Sequence, residues 1–374
     1  MSDTFHSTLF RPGDLASTID TPALVVDLDA MDRNIAAMAA FARQRGVRLR
    51  PHAKMHKSAF VAKLQIAAGA VGVCVQKTSE AEALADAGID DLYISNEVID
   101  PAKLARIAAL AKRVKMAIAV DSTLGIDRLA AAMRSAGAAI DVFVEIDVGQ
   151  GRCGVKPTRA GELARHVVAH GLHVAGLQAY HGGAQHLRTL ARRREAIDHA
   201  TAAVRTALAS LAAAGIECPL VTGAGTGTFV LEAASGVWGE LQCGSYAFLD
   251  RDYADNEPTP DVPAFEHALF VKSQVVSRGD THAVIDAGHK SHAIDSGLPK
   301  VWGRNLIFEN GGDEHGILRA GRDTLPELGE SVWLVPGHCD PTINLHAYGV
   351  GVRGGLVDGL VEAVWRIDAR GCVS

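Results

Sequence analysis

Short apolar runs alternate with Ala-rich helical stretches over much of the chain. From about Val47 to Phe248, each run leads into a polar or Gly-containing turn, and a stretch with helical spacing of its apolar residues follows most of them. The eight runs read VRLRPH, VGVCV, LYIS, MAIAV, VFVEID, AGLQAY, LVTGAG and ELQCGSYAF. Alternating strands and helices predict a parallel sheet, and eight units in about 200 residues fit a closed (β/α)₈ TIM barrel. An open doubly wound sheet is the alternative that periodicity leaves open.

The segments on either side of this region follow a different pattern. Before it, TPALVVDLDAMDRNIAAMAAFARQRG contains one further strand and a helix, and this strand needs a partner outside the barrel. After about Asp250, the Pro-bearing linker RDYADNEPTPDVP leads into alternating segments such as HALFVKSQVVS and SVWLVPGH, which predict a β domain. We therefore divide the chain into an N-terminal strand that joins the β domain (1–27), a barrel (28–252) and a C-terminal β domain (253–374).

Composition and charge exclude several classes of protein. The 374 residues are 48% hydrophobic, enough for a large core, and the formal net charge of −6 provides no cationic surplus for binding nucleic acid. The first residues, MSDTFHSTLFRPGD, contain no apolar segment of signal-peptide length, and no later stretch is apolar enough for a membrane helix. The six cysteines are scattered without a Cys-x-x-Cys pair, which favours reduced thiols and a cytoplasmic protein.

The first apolar run ends in a cluster of basic side chains, RPHAKMHKS, at positions 50–58. An extended strand places Arg50, His52 and Lys54 on one face, toward the barrel interior, and barrel active sites lie at the carboxyl ends of the strands. Burial and neighbouring cations are expected to lower the pKa of Lys54, and a neutral lysine is a nucleophile suited to a Schiff base. A solvated basic loop that binds a phosphate is the alternative.

Two Gly-containing segments follow the seventh and eighth runs. VTGAGTGTF offers backbone N–H groups from Gly225, Thr226 and Gly227 without bulky side chains, which suits a phosphate. LQCGSY places Gly244 and Ser245 at the adjacent strand end, where barrel phosphate sites are commonly built. The spacing does not match the dinucleotide pattern G-x-G-x-x-G, and the alternative is that these glycines only turn the chain.

Two further segments carry candidate functional side chains. In LVPGHCDPTINLH, an extended backbone would point His338 and Asp340 in the same direction, and this pair suits a divalent cation such as Mn²⁺, Mg²⁺ or Zn²⁺. In LQAYHGGAQHL, Tyr180 is placed to cover a planar cofactor, and His181 or His186 is placed to act as a base. Surface exposure and simple packing are the alternatives to these two interpretations.

Taken together, these segments resemble the pyridoxal-phosphate (PLP) enzymes of the alanine racemase-type fold, PLP fold type III. The resemblance is to the branch that contains D-threonine aldolase, 3-hydroxy-D-aspartate aldolase and D-serine dehydratase. It extends from DTPALVVDLDAMDRNI to VWRIDARG and includes, in order, RPHAKMHK, QKTSEAEALADAGIDDLYISNEV, VEIDVGQGRCGV, GLQAYHGGAQH, TGAGTGTF, GELQCGSYAFLDRDY, DEHGIL and VPGHCDPTINLH. So many motifs in one order are improbable by chance.

The resemblance implies a role for each candidate residue. Lys54 corresponds to the lysine that forms a Schiff base with pyridoxal 5′-phosphate, and His186 corresponds to a proposed base. The other correspondences are Arg152 beside the pyridine ring, Tyr180 against its face, Gly225, Thr226, Gly244 and Ser245 around the phosphate, and His338 and Asp340 as metal ligands. Dehydratases of this group carry His-x-Cys where this chain has His-x-Asp, so the resemblance favours an aldolase.

The implied reaction is metal-dependent cleavage of a D-3-hydroxy-α-amino acid to glycine and an aldehyde. D-threonine would give acetaldehyde, and 3-hydroxy-D-aspartate would give glyoxylate. The expected metal is Mn²⁺ or Mg²⁺, with Zn²⁺ and Co²⁺ as further candidates. The alternatives are a D-serine dehydratase-like enzyme, an amino-acid racemase, a non-catalytic cofactor carrier and a metal-dependent barrel hydrolase.

Two further expectations concern the substrate and the assembly. A second substrate carboxylate would need a cation nearby, and the candidates are Lys57, Lys300, Arg304 and His315. The fold type implies a homodimer whose active site is shared between subunits, so that His338 and Asp340 would serve Lys54 of the partner subunit.

Overall fold

Strand β1 (Ala23–Asp27) and helix α1 (Leu28–Arg45) precede an eight-stranded parallel sheet in the computed structural model, which describes residues 10–374. The sheet consists of β2 (Arg48–Leu49), β3 (Val73–Val75), β4 (Asp91–Ile94), β5 (Lys115–Val120), β6 (Asp141–Glu145), β7 (His173–Ala179), β8 (Val221–Gly223) and β9 (Glu240–Leu241). The helices between these strands are α2 (Ala59–Ala67), α3 (Thr78–Asp86), α4 (Pro101–Leu110), α5 (Thr123–Ala136), α6 (Ala160–Ala169), α7 (Leu190–Ala213) and α8 (Phe229–Ala234). Each of the eight predicted strands is present.

The parallel strands close into a barrel. From β3 to β9 each strand pairs with the next one along the chain, and β9 pairs with β2. Between β2 and β3, the amide of Cys74 donates a 2.9 Å hydrogen bond to the carbonyl of Pro51, and His52 forms a parallel bridge with Cys74. The predicted TIM barrel is confirmed, because this order and closure exclude an open doubly wound sheet.

Capping residues determine where the barrel helices begin and end. Asp100 accepts a hydrogen bond from the amide of Lys103 at the start of α4, and Ser122 accepts one from Gly125 at the start of α5. Helix α5 ends at Gly137, whose φ of +61° suits a residue without a Cβ. Across residues 10–374, no helix is long and apolar enough to span a membrane.

The barrel interior contains polar side chains as well as apolar ones. Arg50 is 5% exposed, and its guanidinium lies 2.5 Å from Asp91 Oδ1 and 3.3 Å from Glu240 Oε1. Tyr93 is fully buried and donates a 2.8 Å hydrogen bond to Gln178. Carboxylates from other strands therefore compensate the charge of this buried arginine.

The second sheet contains strands from both ends of the chain. Its nine strands are β1, β10 (Leu269–Arg278), β11 (Ala283–Ile285), β12 (Lys300–Val301), β13 (Leu306–Asn310), β14 (Gly316–Ala320), β15 (Ser331–Val335), β16 (Tyr348–Arg353) and β17 (Leu360–Arg366). Strand β1 pairs antiparallel with β10 and parallel with β16. Two short helices, α9 (Arg251–Ala254) and α10 (Cys339–Leu345), accompany the sheet. The division of the chain into domains at 1–27, 28–252 and 253–374 remains our proposal. Residues 1–9 of the first segment lie outside the part of the chain that the structure describes.

Helix α1 packs the barrel against the second sheet. Met31 and Met38 of this helix belong to one buried apolar cluster with Tyr246 of the barrel and Leu269 of β10. Full burial of a Met or Leu side chain stabilises a fold by about 1.5–3 kcal/mol. This shared cluster fixes the loops at the carboxyl ends of the barrel strands next to the second sheet.

Candidate active site

A cavity of about 410 Å³ lies at the carboxyl ends of the barrel strands. Its wall contains most of the residues that the sequence singles out, namely Lys54, Arg152, Tyr180, Gly225, Thr226, Gly244 and Ser245. Other residues that line it are His52, Gln76, Lys77, Ser95, Asn96, Cys153, Gln178, Gln242 and Tyr253. A cavity of this size with converging polar groups is typical of a small-molecule site.

Lys54 follows β2 on a single 3₁₀ turn, and its ammonium group contacts the carboxylate of Asp340. Burial lowers the pKa of Lys54, but the Asp340 carboxylate outweighs burial, and the net shift is upward. The prediction of a lowered pKa is therefore wrong for this structure. The neighbouring cations have partners of their own, because Lys57 Nζ lies 2.7 Å from Glu80 Oε1 and Arg50 is paired inside the barrel.

His338 and Asp340 approach Lys54 from the C-terminal part of the chain. His338 is the N-cap residue of α10 and Asp340 lies in its first turn, so the extended backbone expected for this pair is not found. The side chains nevertheless converge, with 3.7 Å between His338 Nε2 and Asp340 Oδ1. Asp340 contacts Lys54 of its own chain, so the expectation that this pair serves Lys54 of the partner subunit is wrong for this structure.

The side chains at His338 and Asp340 fit a divalent cation. Asp340 Oδ1 is buried and has no hydrogen-bond partner within residues 10–374, which is costly for a carboxylate unless an ion or water binds it. His338 Nδ1 lies 2.7 Å from Asp295 Oδ2, so Nε2 is directed at Asp340. A carboxylate on the outer nitrogen of a histidine is the usual support of a metal-binding imidazole.

Asp295 gives a testable prediction about this candidate metal site. We expect Asp295→Asn to weaken Mn²⁺ binding by about 10- to 100-fold, because the neutral amide orients His338 less strongly and lowers its basicity. Calorimetric titration of the purified protein with Mn²⁺ measures the change. Asp313→Asn is the matched control, since Asp313 pairs with His289 at 2.8 Å but lies outside the cavity wall. Equal affinity in the two variants would contradict the role of Asp295.

Arg152 and Tyr180 form another part of the cavity wall. The guanidinium carbon of Arg152 lies 5.7 Å from the centre of the Tyr180 ring, within the range of a cation–π contact. Burial raises the pKa of Tyr180, so its hydroxyl stays protonated. Burial, together with the neighbouring Glu97, also raises the pKa of Glu145 to about 9. A neutral Glu145 leaves the charge of Arg152 available to an anionic ligand.

Two loops form a cradle that suits a phosphate group. Gly225 and Thr226 follow β8, and Gly244 and Ser245 follow β9. A Cβ on Gly225 would lie 2.5 Å from Gln185 Oε1, and a Cβ on Gly244 would lie 2.6 Å from the carbonyl oxygen of His52. Side chains are thus excluded at both glycines, which leaves their backbone open to an anion.

Glu232 on α8 lies close to this cradle in the chain and has a raised pKa. It accepts a 2.7 Å hydrogen bond from Thr228 at Oε1, whereas its buried Oε2 has no partner among the described residues. Burial raises the pKa of Glu232 from 4.5 to about 7. The folded protein therefore holds a proton that the unfolded chain releases, so stability is fully present below pH 4.5 and is lost as the pH rises through 7.

We expect Glu232→Gln to remove this pH dependence. Relative to the wild type, the variant should gain up to about 3 kcal/mol in free energy of unfolding between pH 4.5 and pH 8, since each pKa unit corresponds to about 1.4 kcal/mol. Urea unfolding of both proteins at several pH values measures this change. A difference between them that stays constant with pH would show that Glu232 is already ionised in the folded protein.

His186 is not part of the cavity wall. Its Nδ1 lies 2.5 Å from Asp252 Oδ2, and its ring centre is 5.7 Å from that of Tyr253, which does line the cavity. Burial raises the pKa of Asp252, but His186 and Arg188 outweigh burial and lower it to about 2. The structure thus places His186 next to the site, and its role as a base stays a prediction.

The cations expected to bind a second substrate carboxylate are not at the cavity. Lys300 is exposed and pairs with Asp255, and Arg304 pairs with Glu330. Lys57 is buried against Glu80, as described above, and His315 does not line the cavity. None of these four side chains lies in the cavity wall, and their role in binding a second carboxylate stays a prediction.

Sequence reasoning also missed residues that shape the site. Gln76 and Ser95 follow β3 and β4, and their side chains lie 2.9 Å and 3.2 Å from His52 Nε2. The signal that would have identified them is a polar residue directly after a barrel strand. Asp295 and Tyr253 carry no comparable signal, because they lie outside the regular elements of the barrel.

Comparisons with known proteins agree with this geometry. The family model described as "Alanine racemase, N-terminal domain" matches residues 26–252, and "Putative serine dehydratase domain" matches residues 268–352. The chain is 45% identical to D-threonine aldolase of Arthrobacter sp., over 96% of this chain and 95% of that protein. It is also 45% identical to 3-hydroxy-D-aspartate aldolase of Paracoccus denitrificans (strain Pd 1222), over 96% and 94%. The crystal structure of D-threonine aldolase from Filomicrobium marinum superposes with a TM-score of 0.94 at 49% identity, covering 98% of this chain and 99% of that one.

Proposed function

The chain belongs to the family of D-threonine aldolases and 3-hydroxy-D-aspartate aldolases, and we propose that it is a lyase that cleaves D-3-hydroxy-α-amino acids to glycine and an aldehyde. The aldehyde would be acetaldehyde from D-threonine or glyoxylate from 3-hydroxy-D-aspartate. The observation that carries the proposal is the contact of Lys54 with Asp340. Lys54 lines the same cavity as the phosphate cradle, and Asp340 belongs to the pair that would bind the metal, so this contact brings the two candidate binding sites together.

We infer that pyridoxal 5′-phosphate and a divalent cation bind at this cavity. Lys54 would bind the cofactor aldehyde, and Arg152 and Tyr180 would contact its ring. The proposed phosphate ligands are Gly225, Thr226, Gly244 and Ser245. When bound, the cofactor supplies an electron sink for the electron pair released from the Cα–Cβ bond.

The protein's own groups would bind the cation and accept a proton. His338 and Asp340 would hold Mn²⁺ or Mg²⁺, with Zn²⁺ and Co²⁺ as further candidates, beside Lys54. His186 would accept the proton of the substrate hydroxyl through its Nε2, because Nδ1 is held by Asp252. Since His186 is outside the cavity wall, we propose that this proton passes through a water molecule.

Cys339 supports an aldolase rather than a dehydratase. Its side chain is fully buried in the apolar cluster that also contains Ile343, and burial raises the pKa of its thiol well above the usual range. A neutral, buried thiol is a poor metal ligand. The residue at the second ligand position is therefore Asp340, where dehydratases of this group carry a cysteine.

We further propose that the protein is a cytoplasmic homodimer. The fold type supports the dimer. The cysteines Cys74, Cys153, Cys218, Cys243, Cys339 and Cys372 are all unpaired, which supports a reducing compartment.

Glycine release tests the proposed reaction. Purified protein with pyridoxal phosphate and Mn²⁺ is supplied with D-threonine or D-3-hydroxyaspartate, and L-threonine is the matched control substrate. We expect glycine from a D-substrate only, and we expect a strong chelator to stop its release. Ammonia and a 2-oxo acid without glycine would indicate a dehydratase instead, and inversion of D-threonine at its α-carbon without glycine would indicate a racemase.

A further inference from the structure

Three potential metal ligands converge on the outer helices of the barrel, and none of them lines the cavity. Asp127 lies near the start of α5, His166 lies in α6, and His170 is the C-cap residue of α6. The amide of His170 donates a 3.2 Å hydrogen bond to the carbonyl of His166, so helical geometry continues through both histidines. Their rings therefore project from the same face, with 4.4 Å between the ring centres.

Both imidazoles direct the same nitrogen at the same carboxylate oxygen. Nε2 of His166 lies 2.6 Å from Asp127 Oδ1, and Nε2 of His170 lies 3.0 Å from it. The three potential ligand atoms all lie within 4.8 Å of one another. Ligand atoms of a tetrahedral Zn²⁺ ion, each about 2.0–2.1 Å from the metal, lie about 3.3 Å apart. The side chains of His166, His170 and Asp127 are 30%, 32% and 49% exposed, respectively. They can therefore move to these separations, and an ion can reach them from the solvent.

We propose that Asp127, His166 and His170 form a site for a divalent transition-metal ion, namely Zn²⁺, Cu²⁺ or Ni²⁺. Two imidazoles and one carboxylate are ligands that these ions favour, and they leave a fourth position for water. The pair at His338 and Asp340 offers only one imidazole. The outer site therefore prefers the later transition metals over Mn²⁺ and Mg²⁺ more strongly than the cavity site does.

A simple ion pair needs only one histidine. His173 and Asp141 form such a pair on the same barrel, with 2.8 Å between Nδ1 and Oδ1 and a single imidazole. At Asp127 two rings approach one oxygen, and two imidazolium groups at this separation would repel each other. A single metal ion instead interacts favourably with both nitrogens and with the carboxylate.

The site joins α5 to the end of α6, so an ion bound there would stabilise the outer helices of the barrel. The three side chains do not line the cavity. Occupancy of the outer site should therefore raise the midpoint of thermal unfolding in Zn²⁺ or Ni²⁺ without changing the rate of glycine release.

Counting bound metal tests the site independently of the proposed reaction. Wild type, His166→Gln/His170→Gln and the control His173→Gln are dialysed against the same Zn²⁺ buffer and analysed for zinc per chain. We expect the double variant to bind one Zn²⁺ fewer than the wild type and the control. The single variant His170→Gln should bind this Zn²⁺ at least about 10-fold more weakly, because it loses one of three protein ligands.

Equal zinc content in the wild type and the double variant would overturn the proposal. The same holds if His173→Gln loses as much zinc as the double variant, since the loss would then reflect general surface binding. Circular dichroism checks that each variant is folded. Should the double variant be unfolded, Asp127→Asn serves instead, and retention of the full zinc content by that variant would likewise overturn the site.

Discussion

Replacing Lys54 by arginine should reduce glycine release by roughly 1,000-fold or more and abolish the visible absorption of the bound cofactor. The guanidinium that Lys54→Arg introduces keeps a positive charge facing Asp340, but it stays protonated and forms no covalent bond with an aldehyde. The variant therefore separates the charge of Lys54 from its nucleophilicity. Absorption spectra of the purified protein with pyridoxal phosphate, together with assays of glycine release, measure the two effects.

The matched control for this prediction is Lys77→Arg. Lys77 is the other lysine among the residues that line the cavity, so it tests whether any lysine there binds the cofactor aldehyde. We expect Lys77→Arg to retain the absorption. Loss of the absorption in Lys77→Arg, with retention in Lys54→Arg, would show that the assignment of Lys54 is wrong.

The repeated local pattern was sufficient to predict the barrel. Each apolar run became a strand, even where the strand is only two residues long, as in β2 and β9. The closure between these two strands joins residues 48 and 240, and no local pattern encodes a pairing over that distance. It was predicted from the count of eight units, because eight parallel strands commonly close. The same reasoning assigned β1 to the C-terminal β domain but did not identify its individual partners, β10 and β16, which lie more than 200 residues away.

The position of the site followed from the strand ends, but its electrostatics did not. Lys54, Arg152 and Gly225 line the cavity because barrel loops meet at one end. The pKa of Lys54 was predicted in the wrong direction, because its dominant partner, Asp340, is 286 residues away. The extended backbone expected from His338 to Asp340 was wrong beyond His338, since α10 begins at Cys339. Such long-range contacts and short helices depend on packing between the two sheets.

Replacing Asp340 by asparagine should reduce glycine release by about 100-fold or more, and excess Mn²⁺ should not restore it. The loss corresponds to several kcal/mol of charge stabilisation that a bound metal contributes. Asparagine preserves the shape of the side chain and can still accept a hydrogen bond from Lys54, but it lacks the negative charge that holds a cation against His338. Rates measured over a range of Mn²⁺ concentrations give both the affinity and the maximal rate.

Two comparisons distinguish this prediction from a general loss of structure. Asp295→Asn weakens the support of His338 but leaves both ligands in place, so high Mn²⁺ should restore its rate, whereas the rate of Asp340→Asn should stay low. The visible absorption of the cofactor should persist in Asp340→Asn, because Lys54 remains. Recovery of the Asp340→Asn rate at high Mn²⁺ would mean that Asp340 only supports the site. If a chelator does not change the rate of the wild type, the reaction does not use the metal. The buried Oδ1 of Asp340, which has no hydrogen-bond partner among residues 10–374, would then need another partner, such as water.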